Sequence, residues 1–347
     1  MPDPPSIPTR KLGRNGPEIP AIGFGTMGLS CFYGKVPEDD ERLKLLDHAH
    51  EIGQRHWDTA DGYVDSEDLL GKWFATRPGK RKDIFLATKF AYRADPTNPR
   101  GFRIDSSPEY AKEAWEKSSK RLGVDVIDLF YVHRVTPNIP IEHTMKGMAE
   151  LVAEGKIRYV GLSEVSASTL RRAHAVHPVA AVQVEYSPFS REIESNGVLE
   201  VARELGIAIV AYSPLGRGFF AKQFVNPQEL SEDDFRRSVP KFQGEALEKN
   251  LQLVKKFEAV AEKKNATPGQ VTLAWLLAQG EEVIPIPGTR RVKYLEENLA
   301  AVNLVLTDEE VRELRDAVDN AEYAGGRYES SLEDLLYADT VALGHSN

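Results

Sequence analysis

Four ionisable side chains follow apolar runs in the first half of the chain: Asp58 in RHWDTA, Tyr63 in the turn beyond it, Lys89 in IFLATKF and His133 at the end of IDLFYVH. Each alone has an ordinary structural explanation, such as a helix cap, a solvated strand end or a core histidine. Together they are harder to explain in that way, because burying such groups costs free energy unless the charges pair or take part in a reaction. The set therefore suggests a chemical site.

The chemistry that this set suggests is proton transfer by the tyrosine. A phenol with a pKa near ~10 does not easily exchange its proton at neutral pH. We expect the ammonium group of Lys89 to favour the phenolate of Tyr63, and Asp58 to keep that lysine charged. His133 would hydrogen-bond the substrate oxygen or complete the proton relay. The sequence shows neither a nucleophilic triad nor a histidine-carboxylate metal pattern, which favours an organic redox cofactor and no metal.

The elements that must position these side chains follow a repeating pattern. Short runs rich in Val, Ile and Phe alternate with amphipathic stretches about eight times, which is typical of βαβ units. The predicted strands cover residues 21–27, 55–60, 84–90, 127–133, 158–164, 180–187, 207–215 and 282–288. The strands are continuously apolar and the composition shows no break along the chain. We therefore predict an α/β fold of one closed (β/α)8 TIM barrel, and prefer it to an open doubly wound sheet.

Three additions to the barrel are predicted. RKLGRNGPEIP contains an Asn-Gly pair, which indicates a tight hairpin at the bottom of the barrel. Roughly thirty residues, from Gly216 to about Lys249, form a long loop after strand seven. TDEEVRELRDAVDN predicts an extra C-terminal helix. The barrel domain is expected to span residues 10–325, with flanking tails at 1–9 and 326–347.

Polar residues in the second half of the chain are suited to a dinucleotide. VIPIPGTRRVKYLEEN follows strand eight with a turn that leads into a helix, a common phosphate-binding arrangement. Three cations within residues 290–293 favour NADPH over NADH, although a solvated basic loop is the ordinary alternative. Ser163, Gln183 and Tyr212 end strands five, six and seven, where they could bond a carboxamide and stack on a ring.

Composition narrows the class of protein. The 347 residues include 44 Lys and Arg against 53 Asp and Glu, and the net charge of −9 argues against nucleic acid as the main partner. The single cysteine, Cys31, excludes an internal disulfide and predicts a reducing, cytoplasmic location. No run approaches the roughly 18 apolar residues of a membrane span. We expect a protein that acts on a small molecule as a monomer or a homo-oligomer.

The chain resembles the aldo-keto reductases from about Lys11 to Asn320. The motifs that carry the resemblance occur in family order: WDTADGYVDSEDLLG, LATK, DLFYVHR, GLSE, QVEYSP, AYSPLGRG and IPIPGTRRVKYLEEN. CFYG and HRVTPNIPIEHTM resemble the branch of fungal, plant and bacterial reductases that act on aromatic and other small aldehydes. The resemblance implies an NADPH-dependent enzyme of the alcohol dehydrogenase (NADP+) type, which reduces aldehydes and ketones to alcohols.

The resemblance also implies roles for individual residues. The catalytic tetrad would be Asp58, Tyr63, Lys89 and His133, with Tyr63 as the general acid. The cofactor-binding residues would be Ser163, Glu164, Gln183, Tyr212, Ser213, Leu215, Gly216, Gly218, Gly288, Thr289, Arg290, Arg291, Glu297 and Asn298. The loop residues expected at the wall of the substrate pocket are Met27, Phe32, Tyr33, Tyr92 and Arg134.

Two residues depart from the pattern of many relatives. Glu164 stands where many have Asn, so its carboxylate can accept from a carboxamide NH2 group but cannot donate to the carboxamide oxygen. Val64 stands where many have Gly, directly after the tyrosine. This difference is expected to reshape the pocket wall more than the proton chemistry.

Two other functions fit parts of the sequence. One is a dinucleotide-sensing regulatory subunit of the potassium-channel beta type, which shares the fold and contributes little catalysis. The presence of all four tetrad positions argues against it. The other is an isomerase or aldolase barrel that uses Lys89 as a Schiff base, which leaves the 288–298 segment and the long loop unexplained.

Overall fold

The computed structural model describes residues 7–221, 229–328 and 333–344. Its strands, in chain order, are β1 (Thr9–Lys11), β2 (Glu18–Pro20), β3 (Phe24–Gly25), β4 (His56–Asp58), β5 (Phe85–Phe90), β6 (Tyr92–Ala94), β7 (Phe102–Ile104), β8 (Ile127–Val132), β9 (Ile157–Ser163), β10 (Val179–Glu185), β11 (Ala208–Tyr212) and β12 (Val283–Pro285). Its α-helices are α1 (Asp39–Glu51), α2 (Ser66–Thr76), α3 (Pro108–Leu122), α4 (Ile141–Ala153), α5 (Ala167–Val176), α6 (Val198–Leu205), α7 (Gly244–Lys264), α8 (Pro268–Leu277), α9 (Val292–Ala300) and α10 (Asp308–Asp319).

Eight parallel strands form the central sheet in the order β3-β4-β5-β8-β9-β10-β11-β12. Its two outer strands meet, because the Gly23 N–H donates to the Pro285 carbonyl (2.8 Å) and the Gly25 N–H donates to the Pro287 carbonyl (3.2 Å). The strands approach so closely that a Cβ on Gly25 would lie 2.8 Å from the Ile286 carbonyl oxygen. The predicted (β/α)8 barrel is confirmed, and each predicted strand overlaps one of these eight.

The barrel interior is filled from below by the N-terminal hairpin. β1 and β2 pair antiparallel, with Lys11 opposite Glu18. Leu12 and Ile19 are buried in one apolar cluster with side chains from the barrel strands. The predicted hairpin is therefore confirmed, but the predicted tight Asn-Gly turn is wrong. The Leu12 N–H donates to the Pro17 carbonyl (2.9 Å), so residues 13–16 form a longer loop, in which the left-handed residue is Gly13 (φ 70°).

Local sequence signals set several helix boundaries. α10 begins with a capping box between Thr307 and Glu310, which confirms the predicted extra helix. α3 ends at Gly123, whose φ of 64° is favourable for glycine. The long segment after β11 ends where α7 begins, at Gly244. Phe219 and Phe242 of that segment are buried and stack at 4.3 Å between ring centroids, so these two parts of the connection are packed against each other in the molecule.

Two searches of the described residues concern membranes and metals. No described helix has the length and apolar character needed to cross a membrane. Within the same ranges, no group of three or more His, Cys, Asp or Glu side chains is arranged to hold a metal ion.

His56 in β4 gives the fold a testable dependence on pH. Its ring is fully buried, and neither ring nitrogen has a hydrogen-bond partner in the described structure. Burial lowers the pKa of His56 from 6.5 to about 4. As the pH falls, His56 therefore takes up a proton in the unfolded chain before it does so in the folded protein. The stabilising effect of the neutral ring is complete above pH ~6.5 and is lost progressively as the pH falls to ~4.

We expect wild type to lose about 3 kcal/mol more unfolding free energy between pH ~7 and pH ~4 than His56→Met, since the variant has no titrating ring there. Urea unfolding at both pH values measures this difference. His143 is exposed, so His143→Met is the matched control and should behave as wild type. Equal pH dependence in wild type and His56→Met would contradict the expectation.

Candidate active site

The carboxyl ends of β4, β5 and β8 meet at one rim of the barrel and carry Asp58, Lys89 and His133. Tyr63 reaches the same rim from the turn after β4. That turn is closed by hydrogen bonds from the Tyr63 N–H to the Ala60 carbonyl (3.1 Å) and from the Ser66 N–H to the Tyr63 carbonyl (2.9 Å). The four side chains of the predicted tetrad are therefore brought together by three adjacent strands and one tight turn.

The centre of this rim is a buried ion pair. The Lys89 ammonium donates to the carboxylate of Asp58 and to the Thr59 carbonyl (2.7 Å), and it lies 3.4 Å from the Tyr63 hydroxyl. Lys89 is 0% exposed. The second oxygen of Asp58 accepts a hydrogen bond from the Gln183 amide (2.8 Å). Burial lowers the pKa of Lys89, and the charge of Asp58 opposes this effect.

Burial outweighs the expected effect of Lys89 on the pKa of the tyrosine. Burial, with a further contribution from Asp58, raises the pKa of Tyr63 well above 10. The net pKa is not lowered, because the ammonium is shared with Asp58 and a backbone carbonyl, while the phenol is removed from water. Tyr63 therefore keeps its proton at neutral pH, which is the state that a proton donor requires.

His133 lies against two tyrosines. Its ring makes T-shaped contacts with Tyr63 (5.7 Å between centroids) and Tyr92 (4.8 Å). Burial, with the nearby charges of Arg134 and Lys89, lowers the pKa of His133 well below 6.5. Its imidazole is therefore neutral at physiological pH, and the buried Nδ1 has no partner within the described ranges. A neutral ring beside the phenol is suited to hydrogen-bond a substrate oxygen.

The ends of β9, β10 and β11 bring together polar groups that were predicted to hold a carboxamide and to stack on a ring. The Ser163 hydroxyl accepts from Arg134 (3.2 Å). The carboxylate of Glu164 accepts from the Tyr212 hydroxyl (2.9 Å) and from the Glu185 N–H (3.0 Å). Glu164 has a φ of 51°, a left-handed conformation that favours Gly and Asn over other residues. The second oxygen of Glu164 is buried without a partner among the described residues.

The turn after β11 has an unusual backbone. Ser213 has a φ of 50°, and its carbonyl accepts from the Gly216 N–H (2.9 Å). Gly216 and Gly218 have φ values of 58° and 101°, so glycine suits both positions. Leu215 directly precedes Gly216 and packs against the core. The predicted cofactor residues of this segment therefore form one compact turn.

The turn after β12 separates two arginines that the sequence left equivalent. Arg290 donates to four backbone carbonyls of the loop between β3 and α1, those of Gly28, Tyr33, Gly34 and Lys35. Arg291 is exposed, and its N–H donates to the Thr289 hydroxyl (3.1 Å). Arg290 is thus a tether for a loop, whereas the guanidinium of the exposed Arg291 lies 5.8 Å from the centre of the Tyr294 ring.

Two further predicted cofactor residues lie on α9, which follows this turn. Glu297 accepts from the Thr267 hydroxyl (2.6 Å), and Asn298 is buried. Gly288 precedes the turn, and a Cβ there would lie 2.7 Å from the Gly25 carbonyl oxygen.

The predicted substrate residues lie in two places. Met27, Phe32 and Tyr33 belong to the β3–α1 loop, which meets the long segment after β11. The Phe235 N–H donates to the Phe32 carbonyl (3.0 Å), and the guanidinium of Arg236 lies 5.2 Å from the centre of the Tyr33 ring.

The other two predicted substrate residues adjoin the tetrad. Tyr92 contacts the ring of His133, and Arg134 follows His133 and donates to its carbonyl (2.6 Å). Loop contacts therefore enclose one side of the rim, while Tyr92 and Arg134 border the tetrad itself.

Two site residues were missed from the sequence because they lie in residues 326–347, which were predicted to be a tail. Arg327 donates to Glu164 (2.6 Å), Glu185 (3.2 Å) and the Tyr212 hydroxyl (2.9 Å). Tyr328 lies 3.3 Å from the Tyr212 hydroxyl, oxygen to oxygen. The available signal was the Arg-Tyr pair in AGGRYE, an unpatterned stretch that gives no indication of where it packs.

Fold and rim together define a (β/α)8-barrel enzyme with a buried acid–base site. The sequence model described as the aldo/keto reductase family matches residues 21–319. The chain belongs to the aldo-keto reductase family.

Relatives agree over almost the whole chain. Aldo-keto reductase str7 of Strobilurus tenacellus is 54% identical over 328 residues, which cover 92% of this chain and 95% of the relative. Aldo-keto reductase yakc of Schizosaccharomyces pombe, whose name specifies NADP(+), is 50% identical over 339 residues, which cover 96% and 98%.

Solved structures also resemble this one. A glycerol dehydrogenase from Gluconobacter oxydans has a TM-score of 0.81 at 27% identity and covers 91% of this chain and 96% of its own. A thermostable aldo-keto reductase, solved with the inhibitor epalrestat, has a TM-score of 0.69 at 32% identity and covers 90% and 100%.

Val64 provides a test of strain beside the tyrosine. It is 68% exposed and has a φ of 49°, which is unfavourable for a β-branched residue. Its carbonyl accepts from Arg121, which helps to hold this conformation. We expect Val64→Gly to raise the free energy of unfolding by about 1 kcal/mol, because relief of the left-handed strain exceeds the entropy that glycine adds to the unfolded chain.

Urea unfolding of wild type and Val64→Gly measures this effect. Val305 is 77% exposed and lacks a positive φ, so Val305→Gly is the matched control and should not stabilise the protein. A lower unfolding free energy in Val64→Gly would show that the turn is not strained.

Proposed function

We propose that this protein is an NADPH-dependent reductase of the alcohol dehydrogenase (NADP+) type, which converts aldehydes and ketones, including small aromatic aldehydes, to alcohols. The observation that carries the proposal is the Tyr63 phenol, protonated at neutral pH and held between the buried Lys89 ammonium (3.4 Å) and the neutral His133 ring. Membership of the family and the NADP(+) in the name of the yeast relative support the choice of cofactor.

The polar atoms around the rim fit such a cofactor. Buried atoms without a partner in the described ranges include the second carboxylate oxygen of Glu164 and the Nε of Arg134. We assign the carboxamide to Ser163, Glu164 and Gln183, and the ring contact to Tyr212. When bound, NADPH supplies the hydride that reduces the carbonyl carbon.

The protein's own residues supply the proton and the orientation. The carbonyl oxygen accepts hydrogen bonds from the Tyr63 hydroxyl and the His133 ring, which fix the substrate against the rim. Tyr63 transfers its proton to this oxygen, the alcohol forms, and a phenolate remains. The Lys89 ammonium stabilises that phenolate, and Asp58 holds the lysine in place. Solvent returns the proton to Tyr63 before the next turnover.

The remaining assignments follow from the turns after β11 and β12. The segment from Ser213 to Gly218 binds the dinucleotide as the long loop covers it, and residues 288–298 hold the adenosine phosphate end. We place the barrel domain at residues 10–325 and the protein in the cytoplasm. A regulatory sensor is less well supported, because binding a dinucleotide does not require a proton donor beside a lysine–aspartate pair.

Tyr63→Phe tests the mechanism. We expect kcat for aldehyde reduction to fall by about 10²- to 10⁴-fold, the usual effect of losing a general acid, while the Kd for NADPH changes only a few fold. Loss of reduced-nicotinamide absorbance with a nitrobenzaldehyde gives kcat, and quenching of intrinsic fluorescence gives Kd. Tyr323 is exposed, and Tyr323→Phe is the control. Normal turnover in Tyr63→Phe would exclude the tyrosine as acid.

Arg291→Ala and Arg290→Ala separate the two arginines. We expect Arg291→Ala to narrow the preference for NADPH over NADH by about 1–3 kcal/mol, the scale of charge-assisted hydrogen bonds. Arg290→Ala should weaken the binding of NADPH and NADH alike, since Arg290 is bound to backbone carbonyls. The ratio of kcat/KM for the two cofactors measures the preference. A narrowed preference in Arg290→Ala alone would reverse the assignment.

A further inference from the structure

Two buried carboxylates lie side by side at the ends of β9 and β10, and one of them, Glu164, belongs to the proposed nicotinamide site. Glu164 and Glu185 are both fully buried. Glu185 contacts three cations, Arg217 (2.8 Å), Lys241 (3.3 Å) and Arg327 (3.2 Å).

The negative charge of Glu164 is compensated by fewer cations than that of Glu185. In the part of the chain that the structure describes, its one ion pair is with Arg327 (2.6 Å). Its other donors are neutral, the Tyr212 hydroxyl and a backbone N–H. A buried carboxylate that loses its cation is strongly unfavourable. Glu164 therefore depends on Arg327 far more than Glu185 does.

Arg327 does not come from the barrel. It belongs to the C-terminal strap, which we define as residues 321–328 and 333–344. On one side the strap is fixed by Asn250, whose amide exchanges two hydrogen bonds with the backbone of Ala324 (3.0 and 3.1 Å). On the other side the Ala338 N–H donates to the Glu164 carbonyl (3.0 Å). The guanidinium is thus held over the two carboxylates from both directions.

The contacts of Arg327 extend to the ring-binding tyrosine. The same nitrogen that donates to Glu164 also donates to the Tyr212 hydroxyl (2.9 Å), and that hydroxyl donates to Glu164 (2.9 Å). These three groups form a closed triangle of hydrogen bonds. The triangle fixes the Tyr212 ring and leaves the second oxygen of Glu164 without a partner among the described groups.

We propose that Arg327 is a positioning residue for the cofactor: by pairing with Glu164 it permits a carboxylate where many relatives have an amide, and orients Glu164 and Tyr212 toward the nicotinamide end. The inference rests on the proposed function and deepens it. A residue that only docked the strap would not depend on the charge of Glu164, whereas the proposed role of Arg327 does depend on that charge.

The test compares five variants with wild type: Arg327→Met, Arg327→Lys, Glu164→Gln, the double variant Arg327→Met with Glu164→Gln, and Arg315→Met. Arg315 is the matched control, because it also lies near the C-terminus and binds a carboxylate through two nitrogens, that of Glu194 (2.9 and 2.7 Å). The measurements are the Kd for NADPH by fluorescence quenching, KM and kcat with a nitrobenzaldehyde, and the melting temperature.

We expect Arg327→Met to raise the Kd and KM for NADPH by about tenfold or more, with a smaller change in kcat at saturating cofactor. Arg327→Lys should restore part of the affinity, since an ammonium can pair with one carboxylate. The double variant should bind NADPH more tightly than Arg327→Met, because the amide introduced by Glu164→Gln is neutral and needs no cation. Arg315→Met should lower the melting temperature without changing the Kd.

Two results would overturn the inference. One is an unchanged Kd in Arg327→Met, and the other is a double variant that binds no better than Arg327→Met. If Arg327→Met does not fold, the test uses Arg327→Lys instead. The double variant Arg327→Lys with Glu164→Gln must then bind NADPH more tightly than Arg327→Lys alone. Wild type that neither binds nor oxidises NADPH would instead refute the proposed function, so the two failures are distinguishable.

Discussion

The structure of the rim depends on the ion pair between Lys89 and Asp58. A buried pair of this kind is costly to break, because either partner alone would be an uncompensated charge in the core. It requires β4 and β5 to be neighbours in register, as they are, with Asp58 opposite Ala87. It also requires a closed barrel, since the Gln183 amide reaches Asp58 from β10, four places further along the sheet. The closure of the barrel and the ion pair at the rim are therefore coupled through the carboxylate of Asp58.

Burial then decides where the proton resides. Removing the phenol and the imidazole from water disfavours both of their charged forms, so the pKa of Tyr63 rises and the pKa of His133 falls. The two values are driven apart, which leaves Tyr63 protonated and His133 neutral over a wide pH range. In the proposed mechanism, one environment thus gives the two side chains different roles, and Lys89 matters most after the proton has left, when it faces a phenolate.

Much of the fold, and the placement of the four side chains at the rim, was predictable because both follow from periodicity. Buried parallel strands are continuous apolar runs, and a polar side chain at the end of such a run lies at the catalytic rim. The features that were not predicted correctly depend on tertiary contacts. The pKa direction of Tyr63 depends on burial that no motif records. The Asn15-Gly16 pair lies in a longer loop, which suits the contact of Leu12 with the barrel interior. Arg327 pairs with a residue 163 positions away, in a segment without a pattern.

The binding walls follow a different principle from the rim. Arginines help to fix three segments outside the barrel strands. Arg290 binds the β3–α1 loop, Arg217 the turn after β11 and Arg327 the C-terminal strap. Guanidinium groups suit this task because several rigid donors can engage carbonyls and carboxylates at once. In the proposed mechanism the barrel strands therefore carry the residues that react, whereas these tethered segments border the space that substrate and cofactor enter. Substitutions in the segments can change substrate and cofactor preference without disturbing the Lys89–Asp58 pair.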